Sequence, residues 1–186
     1  MIKAIDVANF FVFVANDCDL DEITNLRVNK LLYFAQGWNL VETGAPVFDE
    51  EIEAWPYGPV VPEVYSAYKK YGKKAITKPE GEFSEDMFTL KEKMFLLDVF
   101  KHCSKYSTGN LVSITHRKDL SWEASEYIGQ TISLEAIAND FTKMKPFAKF
   151  QIPKDTKIVS ARRDSSGRPI LPKSDYYPED SIYDQC

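Results

Sequence analysis

Three prolines and a glycine fall within the eight residues Trp55–Pro62, "WPYGPVVP". No helix runs through such a segment, because each proline lacks the N–H an interior turn requires and its ring crowds the turn before it. The chain must change direction here, between two segments whose apolar residues recur at helical spacing. Just upstream, "EIEAW" alternates: Ile52 and Ala54 point one way, and Glu51, Glu53 and Trp55 the other, which is a short strand signal. Gly58-Pro59 is the expected break, and Pro62 is pre-set to begin the next helix. The stretch therefore reads as a strand-to-helix corner. A ligand cradle fits less well, since a lone Gly58 builds no glycine-rich phosphate nest and no catalytic partner lies within the segment.

Around this corner the periodicity is helical. Val7, Phe10, Phe11 and Val14 predict an amphipathic helix ending near Asn16. Thr24 is a good N-cap for a second helix, whose stripe is Leu31, Phe34, Ala35, Trp38 and Val41, with Gly44 as its stop. Gly37 inside it costs about 1 kcal/mol against Ala, which implies close approach of another backbone. A third helix carries Val64, Tyr65 and Tyr68 to Gly72, and "KKAITKPEGEFSED" reads as a loop with a short extended piece at Ala75–Thr77. Thr89 and Glu92 form a capping box for a helix bearing Phe95, Leu96, Val99, Phe100 and Cys103. After "STGN" a brief helix holds Leu111, Val112 and Ile114, and Trp122 sits in the turn beyond it. Ser133 caps a last helix, with Leu134, Ile137, Ala138 and Phe141, that ends before Pro146. From Lys154 the chain turns polar, with Pro169, Pro172 and Pro178, and "SSG" is a usable hairpin turn. The predicted fold is mainly α: a compact single-domain helical bundle with a short strand or hairpin element over residues 1–150. Residues 151–186 form a polar, extended C-terminal tail.

Chemistry is harder to find than architecture. The two histidines, His102 and His116, stand in no metal-ligating spacing, and His102 and Cys103 are adjacent, so their side chains diverge on a helix. No cofactor is expected. Cys103 belongs to the apolar side of its helix, where a thiol packs rather than reacts. Cys18, Cys103 and Cys186 are odd in number and widely spaced, which suits reduced thiols and a cytoplasmic setting. The apolar run at the N-terminus is short, is interrupted by Asp6 and Asn9, and lacks a signal-peptide cleavage site, and no run is long enough to span a membrane. A net charge of −5 argues against nucleic acid as a partner, and Arg162, Arg163 and Arg168 would make only a small basic patch.

Asp49, Glu50, Glu51 and Glu53 read as a solvated charge run, with a basic partner surface as the sharper alternative. His116 and Arg117 fall where cations suit a helix C-terminus, and beside Trp122 they also suit an interface anchor. By elimination the residues favour a protein-binding module over an enzyme. The candidate contact residues are Trp55, Tyr57, Gly58, Pro59, Tyr65, His116 and Arg117 in the domain, with Arg162, Arg163, Tyr176 and Tyr177 in the tail.

The run "NKLLYFAQGWNLVETGAPVFDEEIEAWPYGPVVPEVYSAYKKYG" closely resembles the signature of the Panacea domain, the SocA-like antitoxin family. The matching pieces are Lys30–Trp38, Gly44–Phe48 and Ala54–Pro62, and a second block matches Leu111–Ala124 through Thr115, His116 and Trp122. The chain departs from the pattern at Lys118, where the family usually carries Glu. The resemblance implies an antitoxin that neutralises a cognate toxin, encoded by a neighbouring gene, through direct protein–protein binding and without catalysis. Two alternatives stay open: a proteolytic adaptor that delivers the toxin to a cytosolic AAA+ protease, and an enzyme that reverses the toxin's modification using His116 and the acidic cluster. A homo-oligomer is compatible with either mode. Because the family blocks stop short of the tail, the tail is the expected site of partner-specific contacts. Deleting residues 154–186 is expected to weaken neutralisation and affinity, and full neutralisation by the truncated chain would refute this.

Overall fold

The computed structural model describes residues 2–17 and 23–144, and the backbone of 162–163 and 169–170. The chain divides into two compact units, residues 1–149 and 150–186. In the first, α1 (Ala4–Asp17) and α2 (Asn25–Thr43) precede a hairpin of β1 (Glu53–Trp55) and β2 (Gly58–Val60). Then follow α3 (Pro62–Tyr68), α4 (Leu90–Ser104), α5 (Thr108–Thr115) and α6 (Leu134–Thr142). In the second unit β3 (Arg162–Arg163) pairs antiparallel with β4 (Pro169–Ile170), and the Ser-Gly expected to form the turn lies outside the described residues. None of the described helices is long and apolar enough to cross a membrane.

Helix starts follow their caps. The hydroxyls of Thr24, Thr89, Ser107 and Ser133 each accept a backbone N–H of the first turn. Thr89 and Glu92 complete the predicted capping box. Gly44 ends α2 in the left-handed region at φ 73°, with its N–H donated to Leu40 O. Ser107 belongs to the start of α5, so "STGN" opens that helix rather than preceding it.

The second helix is the centre of the first unit, in contact with α1, α3, α4, α5, α6 and β2. It has no single apolar stripe, because it is buried on nearly all sides. Two expectations change as a result. Val41, predicted to face the core, lies in the last turn and is 47% exposed, beyond the reach of the surrounding helices. Gly37 is approached by a side chain, not a backbone. A Cβ at this position would lie 2.1 Å from ring atoms of Phe141 on α6. That ring packs against Tyr33, Phe34 and Trp38, all on α2.

The hairpin also differs from the predicted corner. Its turn is at Pro56-Tyr57, and Gly58-Pro59 lies inside a strand, with Pro59 opposite Ala54. Proline is tolerated because the Ala54 N–H and C=O are turned the other way, to Gln130 O and the Gly129 N–H. The pair is therefore a non-hydrogen-bonded one, in which a missing donor leaves no gap in the ladder. The far edge of β1 is closed by the segment around Thr131, where the Ile132 N–H donates to Ile52 O.

Replacing Gly37 with Ala is expected to lower stability by about 1–3 kcal/mol, the usual penalty for an overfilled core. Urea denaturation would measure it, and a second change, Phe141→Leu, should recover part of the loss by removing the clashing ring atoms.

Candidate functional site

A segment rich in proline pairs only part of its own polar groups, so the remaining partners must come from elsewhere. They come from α2. Gln36 receives the Val47 N–H on its Oε1 at 2.8 Å and donates Nε2–H to Phe48 O at 2.9 Å. Asn29 Oδ1 accepts the Val61 N–H at 2.9 Å, and Asn25 Nδ2 donates to Tyr65 O at 2.9 Å. Between them Lys30 Nζ donates to Pro59 O at 2.8 Å. All four side chains are buried. Lys30 is fully so, and burial pulls its pKa from 10.5 down to about 7.

Gly58 is the counterpart of Lys30. Its φ is +95°, and an added Cβ would lie 2.7 Å from both Lys30 Nζ and Thr115 Oγ1. Only glycine combines that backbone conformation with that space. Gly58 and Pro59 are buried, so they belong to the inward side of the hairpin and not to its exposed surface.

The turn after α5 holds the hairpin from the other side. Trp122 Nε1 donates to Trp55 O at 2.8 Å. His116 donates Nδ1–H to Val112 O at 2.6 Å, its Nε2 lies 3.4 Å from Pro56 O, and its ring rests on Trp122. Trp55 in turn packs on Tyr65 at 4.9 Å between ring centroids and donates Nε1–H to Glu53 Oε2. Tyr57, at the hairpin tip, is 69% exposed. Arg117 is also exposed and is held by both carboxylate oxygens of Asp119, at 3.1 and 2.8 Å.

The structure thus gathers Trp55, Tyr57, Tyr65 and His116 around one hairpin. It buries Gly58 and Pro59 within the hairpin's second strand, against Lys30 and Thr115, and commits Arg117 to Asp119. Arg162 and Arg163 lie in β3, in the second unit, and Tyr176 and Tyr177 are outside the described residues. The acidic run is partly structural: Glu50 accepts the Ala4 N–H at the start of α1, Glu51 accepts the Thr131 hydroxyl, and Asp49 is exposed. None of these carboxylates is among the hydrogen-bond partners of His116. Cys103 is buried in the core, its thiol pushed up to about 12 by burial and only partly offset by the nearby Arg27 cation.

Helical periodicity did not single out Arg27 or Lys30. Arg27 is buried and makes no ion pair among the described residues. Its guanidinium donates to Cys103 O, Tyr106 O and Thr108 Oγ1, closing the C-terminus of α4, where positive charge is favoured. The available signal was the presence of both cations inside the otherwise apolar run "NLRVNKLLYFA".

The elements in question, the central helix, the hairpin and the Trp122 turn, lie towards the two ends of the stretch from Val28 to Glu123. The family described as "Antitoxin SocA-like, Panacea domain" matches residues 28–123. The chain belongs to this SocA-like Panacea family. A curated relative, Antitoxin SocA of Caulobacter vibrioides (strain NA1000 / CB15N), is 43% identical over 75 residues. That stretch is 40% of this chain and 39% of the relative, so the likeness spans well under half of either protein. No solved structure matches.

Lys30 sets a pH dependence. The unfolded chain keeps this proton up to its ordinary pKa of 10.5, whereas the folded chain gives it up near about 7. Between those values the unfolded state binds more protons, so stability rises with pH, by at most about 1.4 kcal/mol per unit. Lys30→Met should remove this rise. Urea denaturation of both proteins at about pH 7 and about pH 9 measures it, in a window below the region where tyrosines titrate.

Proposed function

We propose that this protein is an antitoxin that neutralises a cognate toxin, encoded beside it, by binding it directly and stoichiometrically. The observation that carries this reading is family membership over residues 28–123, a stretch that includes the hairpin and, in Asn29, Lys30, Gln36, His116 and Trp122, most of the side chains that hold it. The name of the Caulobacter relative, Antitoxin SocA, is in keeping with it. The site geometry supports binding over catalysis. Both ring nitrogens of His116 face backbone carbonyls, Arg117 is paired, and Lys30 and Cys103 are sealed in the core. What remains at the surface around the hairpin is aromatic, in Tyr57 and the half-buried rings of Trp55 and Tyr65, the residue types that anchor protein interfaces.

The neighbouring gene's product should be toxic when expressed alone and harmless when co-expressed with this chain. The two proteins should co-purify, with an interface on the order of 1,600 Å² or larger. Titration separates binding from chemistry, because protection by binding saturates near equimolar ratio. Full protection at strongly substoichiometric antitoxin would refute this reading.

A further inference from the structure

Beside the hairpin lies an open groove of ≈390 Å³ lined by Trp55, Trp122, Tyr127 and Ile128, with Glu123 and Glu126 among them. Tyr127 is 65% exposed and Ile128 70%. Large apolar side chains in a slack loop would need no explanation, but this loop is pinned. Gly129 N–H donates to Ala54 O at 2.8 Å, Gln130 O accepts the Ala54 N–H at 2.9 Å, and the Glu126 N–H donates to Gln130 Oε1 at 2.7 Å. The backbone is therefore held in a position that keeps both side chains in water beside two half-buried indoles. A contiguous exposed apolar surface of this kind marks a contact site.

Charge narrows the occupant. No Lys, Arg or His lines the groove, and both of its carboxylates are exposed and make no ion pair among the described residues. Nucleic acid and anionic membrane are repelled by such a lining. The backbone narrows it further. Both edges of β1 are engaged, one by β2 and the other by the segment around Thr131, so a partner cannot add a strand there. Recognition falls to side chains.

We propose that this groove receives a segment of the protein partner that presents one large apolar side chain flanked by Lys or Arg. The apolar group lies among Trp55, Trp122, Tyr127 and Ile128, and the cations pair with Glu123 and Glu126. This rests on the direct-binding reading above and adds to it the surface and the chemistry of the bound segment.

The test is calorimetric titration of the full-length chain against the neighbouring gene's product at low and high salt, for wild type, Ile128→Glu and the double variant Glu123→Lys/Glu126→Lys. All three positions are exposed, so the unfolding temperatures should agree. Ile128→Glu is expected to weaken binding roughly tenfold or more. The double variant should weaken it at low salt and lose or reverse the wild-type decline with salt. Wild-type binding with both variants unchanged overturns the groove alone. A wild type that does not bind overturns the direct-binding reading and the groove with it. If the variants instead abolish self-association in the ultracentrifuge while partner affinity stays the same, the occupant is a second copy of the chain and the proposal fails.

Discussion

The structure depends on the hydrogen bonds from the buried polar face of α2 to the backbone of the proline-rich corner. Pro56, Pro59 and Pro62 remove three donors from a short stretch, and the short β1–β2 ladder leaves groups such as Pro59 O and the Val61 N–H to be met by side chains. Leaving one such group unpaired costs about 1–3 kcal/mol. Gln36, Asn29, Lys30 and Asn25 meet four successive places along the corner, at residues 47–48, 61, 59 and 65. The set also fixes register, since a shift of the corner by one residue would unpair several bonds together. Burying a lysine to complete it is unfavourable for the charged form, and the molecule resolves this by weakening the lysine's hold on its proton.

Features governed by neighbours in sequence were legible. Thr24, Thr89 and Ser133 cap their helices because a cap is a bond across three residues, and the buried positions of α4, Leu96, Val99, Phe100 and Cys103, follow simple periodicity. What depends on distant contacts was not. Val41 fits the stripe of α2 but runs past its neighbours, and Gly37 is explained only by a ring contributed from Phe141. Gly58-Pro59 looks like a turn until the partner strand shows that Pro59 occupies a position needing no donor.

The contact surface divides along the same line. Trp55, His116 and Trp122 stand out as residues, yet their sequence does not show that Trp122 binds the carbonyl of Trp55. Tyr127 and Ile128 carried no sequence signal, because an exposed tyrosine beside an isoleucine is unremarked until the loop proves to be fixed at both ends. Gly58 and Pro59 are prominent in the sequence for a reason opposite to contact, being the buried part of the hairpin that meets Lys30 and Thr115.

Four of the side chains that hold the corner address its main chain and ignore the identity of the residues they hold. Tyr57 and the outward positions of the hairpin can therefore be exchanged without cutting any of the bonds from α2. Support and display are separate in this architecture. A change in what the hairpin displays therefore leaves the frame that displays it intact, and its contact surface can be altered without refolding the corner.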